Sequence, residues 1–193
     1  MSTALKVKVI VGSVREGRFG IHAAKWIEAH AKAHEGLEVE LLDLKEWPLQ
    51  DYADAMPPSM VKNGAYPSDV AKKWAAKIGE ADAYIMVSPE YNRSTSGALK
   101  NAIDAVYPEW NNKAVGFVSY GSLGGGRAVE HLRGIAAEVQ MADVRTAVHI
   151  MAPWSLTDEN GLKAGALDSY AQSAETMLQQ LTKWGGAFKT MRG

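Results

Sequence analysis

The run from Ser88 to Asp104, Ser-Pro-Glu-Tyr-Asn-Arg-Ser-Thr-Ser-Gly-Ala-Leu-Lys-Asn-Ala-Ile-Asp, gathers the groups of this chain best suited to holding a ligand. Pro89, Glu90, Tyr91 and Asn92 place a rigid ring, a carboxylate, an aromatic side chain and an amide in consecutive positions. Proline restricts the backbone and so fixes where the following N–H groups point. Tyrosine adds an aromatic face with a polar tip. Glu90 reads as an organiser of the loop through hydrogen bonds, not as a general acid. The mixture suits a flat heteroaromatic ligand with donors and acceptors on its rim. It suggests a flavin.

Two further loops extend this reading. Gly12-Ser13-Val14-Arg15-Glu16-Gly17-Arg18-Phe19-Gly20 follows an apolar strand and opens a helix. A helix start offers free N–H groups and a positive dipole end. Ser13 can donate a hydroxyl hydrogen bond, and Arg15 and Arg18 can make charge-assisted bonds to a phosphate. The glycines let the backbone turn tightly and approach an anion closely. A dinucleotide fingerprint would need glycine at Val14, and a P-loop would need lysine at Arg18 and a hydroxyl residue at Phe19. Neither fits, and a phosphomonoester cradle remains. The third loop, Ser119-Tyr120-Gly121-Ser122-Leu123-Gly124-Gly125-Gly126-Arg127, exposes backbone donors to a planar ligand with few side chains in the way.

All three loops need a scaffold that brings them to one edge. Five strand-like segments, Lys6–Val11, Leu37–Leu42, Ala83–Val87, Ala114–Ser119 and Val144–Ile150, alternate with apolar patterns of helical period. The helical patterns run over Ile21–Ala33, Val70–Gly79, Gly97–Val106, Ala128–Val139 and Leu167–Trp184, the third starting near Ser96. Such alternation predicts one α/β domain over residues 1–193, a three-layer sandwich whose parallel sheet has helices on both faces. The expected strand order is the flavodoxin-like 2-1-3-4-5, which periodicity alone does not specify. In open sheets of this kind ligands sit beyond the carboxyl ends of the strands, where these loops lie. The connection Trp47–Ser68 carries four of the seven prolines and is long enough to expect a lid, an interface loop or a mobile segment.

Composition narrows the classes of function. A formal net charge of −1 offers no basic field for nucleic acid, and it separates the chain from strongly acidic electron carriers. The sequence has no cysteine, which excludes disulfides, thiolate nucleophiles, iron–sulfur clusters and Cys-based zinc sites. The apolar stretch of the N-terminal segment is too short for a signal peptide and contains a lysine. No apolar run approaches the roughly 20 residues that span a bilayer. A cytoplasmic enzyme is expected, without nucleic-acid or membrane partners.

Other candidates are weaker. His30 and His34 have i, i+4 spacing but no accompanying metal-site context, so no metal is expected. His131 reads as structural, and His149 ends a strand where it can border a cleft. Trp26, Trp74 and Trp184 read as packing; Trp110 and Trp154 follow strand ends and read as packing or as lining for an acceptor pocket. Asp43 reads as a turn residue, and Lys100, Asn101 and Asp104 as capping or helix-contact residues.

Taken together, Gly-Ser-x-Arg after the first strand, Pro-Glu-Tyr-Asn with Leu-Lys-Asn-Ala-Ile-Asp after the third, and the Gly-Gly-x-Arg-type turn after the fourth resemble the NADPH-dependent FMN reductase family. Its members include quinone, chromate and azo-dye reductases. The resemblance runs from about Lys6 to Val148. It implies non-covalent FMN, NAD(P)H as co-substrate, and a homodimer or homotetramer whose interface borders the ring. It also implies ping-pong hydride transfer through flavin N5 to quinones, chromate, ferric complexes, azo dyes or free flavin, with no protein group as catalyst. Carried onto this chain, Ser13 and Arg15 hold the phosphate; Arg18, Phe19 and Gly20, beside them in the loop, are further cofactor-binding candidates. Pro89, Glu90, Tyr91 and Asn92 hold the isoalloxazine, and Ser119, Tyr120, Gly121, Ser122, Gly124 and Gly125 border it. Many relatives carry serine and asparagine where Arg18 and Gly20 stand, so the phosphate contacts are expected to be rearranged. The alternatives are a flavodoxin-type electron carrier or a redox-sensing flavin-binding module, neither of which oxidises NAD(P)H itself, and an FMN-free nucleotide enzyme.

Overall fold

Alternate residues of the central strands feed two different cores. Val7, Val9 and Val11 pack on one side of the sheet with Ala83, Ile85 and Val87, while Ile10, Tyr84 and Met86 pack on the other. A strand buried on both faces reads as a continuous apolar run, and that is the physical origin of the three-layer arrangement. The computed structural model describes residues 4–62 and 64–193; Met1–Thr3, from the segment expected to carry no signal peptide, and Asn63 of the long connection lie outside the described residues.

The parallel strands are β1 (Leu5–Val11), β2 (Leu37–Asp43), β3 (Ala83–Pro89), β4 (Lys113–Gly121), β5 (Met141–Asp143) and β6 (Val148–Met151). Their order is β2-β1-β3-β4-β5, with β6 also paired to β4, so the expected 2-1-3-4-5 topology holds. Helices α1 (Gly20–Ala33) and α5 (Ala171–Arg192) supply one core; α2 (Asp69–Gly79), α3 (Gly97–Asp104) and α4 (Gly126–Glu138) supply the other. Serine caps open two of them: Ser68 accepts from Ala71 N–H and Ser96 from Leu99 N–H. A small hairpin, β7 (Thr157–Asp158) with β8 (Gly161–Leu162), follows β6. Among the described residues no helix is long and apolar enough to cross a membrane.

The fifth strand differs from the sequence reading, which placed it over Val144–Ile150. Pairing with β4 runs from Val115↔Asp143 to Val118↔Val148, so three steps of β4 face five of the outer chain. The excess is taken up at residues 144–147. There Arg133 of α4 pairs with Asp143 and donates to the carbonyls of Val144 and Arg145 at 3.0 and 2.8 Å. The last helix also runs past its expected end, because Gly185 lies against Leu5 and the basic residues beyond it, Lys189 and Arg192, bond Asp82 at 2.9 and 2.8 Å.

Lys113, at the start of β4, is buried and donates to the carbonyls of Ile78 and Gly79 and to Tyr84 Oη. It thereby serves the C-terminal carbonyls of α2. Burial brings its pKa down to about 8 from 10.5. The unfolded chain therefore binds more protons between those values, and stability contributed at this site rises as pH rises through that window. Lys113→Met removes the titration. The unfolding midpoint of the wild type, followed relative to that of the variant, is expected to climb from pH 8 toward pH 10.5. A constant difference would show an ordinary ammonium at this site.

Candidate active site

Loop one leaves β1 under a tight steric constraint. Gly12 N–H donates to the Val87 carbonyl at 2.8 Å, and a Cβ on Gly12 would lie 2.8 Å from that oxygen. Only glycine lets the two strand ends approach this closely. Ser96, besides capping α3, bonds the Gly12 carbonyl and so ties loop two to loop one. Ser13 is fully buried, with Oγ 2.8 Å from Tyr91 Oη. Arg15 is exposed and its guanidinium lies 6.0 Å from the centre of the Tyr91 ring. Arg18 pairs with Asp43, which caps the turn after β2 by accepting from Lys45 N–H at 3.0 Å.

Loop two folds back on itself directly after Pro89. Tyr91 and Ser94 exchange backbone hydrogen bonds of 2.9 and 3.0 Å across Asn92 and Arg93. Both central residues have positive φ, 49° and 72°, the pattern of a type I′ turn. Glu90 is fully engaged: its carboxylate accepts from Arg127 N–H at 3.1 Å and from Arg127 Nη1 at 2.7 Å. The first turn of α4 has no cap from its own N-cap residue, Gly125, and Glu90 supplies the anion there. It thus locks loop two to loop three and is committed to that task.

In loop three Gly124 and Gly125 have φ of 70° and 77°. A Cβ on Gly125 would lie 2.6 Å from that of Ser119, so the bend also needs the missing side chain for space. Ser119 Oγ donates to the Gly124 carbonyl at 2.7 Å and lies 2.9 Å from His149 Nδ1. These residues form the back of the loop. Tyr120 points forward, with Phe19 against its ring at 5.2 Å, and burial pushes its phenol well up from the ordinary value.

The three loops meet at one cleft of about 470 Å³. Arg15, Gly17, Arg18 and Phe19 line it from loop one; Pro89, Glu90 and Tyr91 from loop two; Tyr120, Gly121 and Ser122 from loop three. Ser13 and Gly20 stand behind this wall, Asn92 is exposed at the tip of its turn, and Ser119, Gly124 and Gly125 support the bend. His149 joins that support and Trp110 is core, whereas Trp154 is 67% exposed and does reach the cleft. Pro153 and Thr157 complete its wall and were not singled out from sequence. Their approach depends on Ala152, held at φ 44° with its N–H on the Gly121 carbonyl at 2.9 Å. A proline after a strand end was the available signal. The Trp47–Ser68 connection packs elsewhere: Asn101 bonds Gln50 and Tyr52, and Tyr66 is buried on Glu109. It lines no part of the cleft among the described residues.

The cleft suits a phosphorylated flavin on its own chemistry. Arg18 Nη1 and Tyr120 Oη are buried without a hydrogen-bond partner among the described residues, beside the uncapped start of α1. Such orphaned groups are rare in folded proteins, and a bound anion would satisfy both at once. The opposite wall offers rings and backbone groups. Residues 5–154 match the model of the NADPH-dependent FMN reductase family. The chain belongs to that family. Family membership makes it an oxidoreductase that works with FMN and NAD(P)H. An NAD(P)H-dependent FMN reductase of Schizosaccharomyces pombe is 35% identical over 148 residues, 77% of this chain and 74% of its own. A 2-hydroxy-1,4-benzoquinone reductase of a Burkholderia species is 31% identical over 168 residues, 82% and 85% of the two chains. Among solved structures, the flavoenzyme NAD(P)H:acceptor oxidoreductase FerB of Paracoccus denitrificans superposes with a TM-score of 0.73. The match covers 96% of this chain and 99% of FerB; at 22% identity it speaks to the fold.

Proposed function

We propose that the protein is a cytoplasmic flavoenzyme that reduces quinone-type and other small acceptors by a ping-pong reaction at this one cleft. The observation that carries the reading is the convergence of the three loops, with orphaned donors at one end of the cleft and rings and backbone at the other. Ser13, Arg15, Arg18, Phe19 and Gly20 serve the phosphate end. Pro89, Glu90, Tyr91 and Asn92 set one wall for the isoalloxazine, and Ser119, Tyr120, Gly121, Ser122, Gly124 and Gly125 set the other. Bound there, FMN would supply the hydride-transfer chemistry between NAD(P)H and the acceptor.

The chain's own contribution is positioning and electrostatics. Pro89 and the Glu90–Arg127 lock hold loop two rigid, so backbone donors stay aimed without reorganisation. No carboxylate is left free in loop two for proton transfer, because Glu90 is committed to Arg127. Trp154 stands at the rim, where it can stack on a flat donor or acceptor and limit water. Donor and acceptor share one mouth, which favours binding in turn. The chain is read as a homodimer or homotetramer.

The test is anaerobic mixing of the FMN-loaded protein with NADH and then NADPH. Rapid loss of the yellow absorbance, recovered on adding a quinone, is expected. Flavin that binds but stays oxidised would point to a carrier or sensor, and no FMN binding would remove the site assignment.

A further inference from the structure

Arg18 and Tyr120 present their unpartnered atoms in ways that complement one another. Asp43 holds the Arg18 guanidinium from one side; both side chains are only 11% exposed, and Nη1 has no acceptor among the described residues. Tyr120 Oη stands at the mouth of α1, since a Cβ on Gly20, the first residue of that helix, would lie 2.5 Å from it. Ser13 lies near enough to bear on the ionisation of this phenol but is engaged with Tyr91, and Oη has no partner of full hydrogen-bonding geometry among the described residues. Burial keeps it protonated, hence a donor. Helix α1 has neither a side-chain cap nor an acidic residue in its first turn. Two buried donors and an uncapped helix start are a costly combination unless an anion meets them.

We propose that Arg18 and Tyr120 form a clamp on the FMN phosphate, with Asp43 as the positioning residue of the arginine and Gly20 small so that the phenol can enter. This rests on the FMN reading above. It moves Tyr120 from a neighbour of the ring to a ligand of the phosphate, and it makes these residues the source of preference for FMN over riboflavin.

Dissociation constants for FMN and riboflavin, read by quenching of flavin fluorescence, are compared in the wild type, Tyr120→Phe and Arg18→Met. The thermal midpoint of each apoprotein is measured alongside. Tyr120→Phe is expected to weaken FMN about ten-fold and leave riboflavin unchanged, as loss of a hydrogen bond to a charged group does. Its apoprotein midpoint should hold or rise, because a lone buried hydroxyl is removed. Arg18→Met should weaken FMN by about ten-fold or more, again with riboflavin unchanged. Equal weakening of both flavins by Tyr120→Phe would return its hydroxyl to the ring or the sugar chain and overturn the clamp. So would a fall in the apoprotein midpoint, which marks a structural hydroxyl, or unchanged binding of both ligands. A wild type that binds neither flavin would overturn the cofactor reading itself, and the clamp with it.

Discussion

Arg15→Ala is expected to weaken FMN binding about 10- to 100-fold while leaving the stability of the apoprotein within about 0.5 kcal/mol of wild type. The two halves of that result have separate origins. Among the described residues Arg15 joins no carboxylate; its guanidinium rests only over the Tyr91 ring, 6.0 Å from its centre, with the side chain in solvent. Little of the fold depends on it. In contrast to Arg18, which Asp43 occupies, its charge is available in full for a phosphate. Titration of the variant with FMN, together with a denaturant melt, reads both halves at once. Unchanged affinity would remove Arg15 from the cradle, and a large loss of stability would show that it supports the loop instead.

Trp110→Ala is expected to have the opposite signature and to cost about 3–5 kcal/mol of stability. Trp110 is fully buried and packs edge-on against Trp74 and Tyr84, with ring centres at 6.4 and 4.8 Å. Its indole N–H donates to the carbonyls of Ile103 and Val106, both at 3.1 Å, at the end of α3. Truncation leaves a large cavity and removes a donor from carbonyls that water cannot reach. For a chain of this size the loss corresponds to a midpoint lower by about 6–20 °C. Trp110 lines no part of the cleft, so the protein that remains folded should bind FMN as the wild type does. Trp154→Ala is the control: that side chain is 67% exposed at the cleft rim, and its loss should leave the melt unchanged. A Trp110 variant that melts within about 1 kcal/mol of wild type would show that the cluster repacks around the gap.

The sequence was legible where short-range chemistry decides the structure. Val9 to Val11 and Ala83 to Val87 are apolar on both faces, the pattern of strands buried on both sides in a parallel sheet. Ser96 caps the helix at the residue expected from the pattern. Pro-Glu-Tyr-Asn marks loop two because proline, a carboxylate and a turn-forming asparagine constrain the backbone by themselves. The fifth strand was less legible. Its break at residues 144–147 is made by Arg133 reaching across from α4, and periodicity along the strand does not carry that information.

By itself the sequence determined the doubly wound class and the three loops that meet at the cleft, and it supplied the residue types read as a phosphate cradle and a ring site. These follow from local rules: burial pattern, turn chemistry, and the charge and donors of single side chains. Tertiary structure alone decided which of those residues face the cleft. It turned Ser119, Gly124 and Gly125 into the support of a bend, and Glu90 into the cap of a distant helix. It also carried Trp154 in from beyond the fifth strand and set Tyr120 over Gly20. The reason is geometric. The outcomes at Glu90, Trp154 and Tyr120 each depend on the distance between segments dozens of residues apart, and that distance exists only once the sheet has fixed the strand ends side by side.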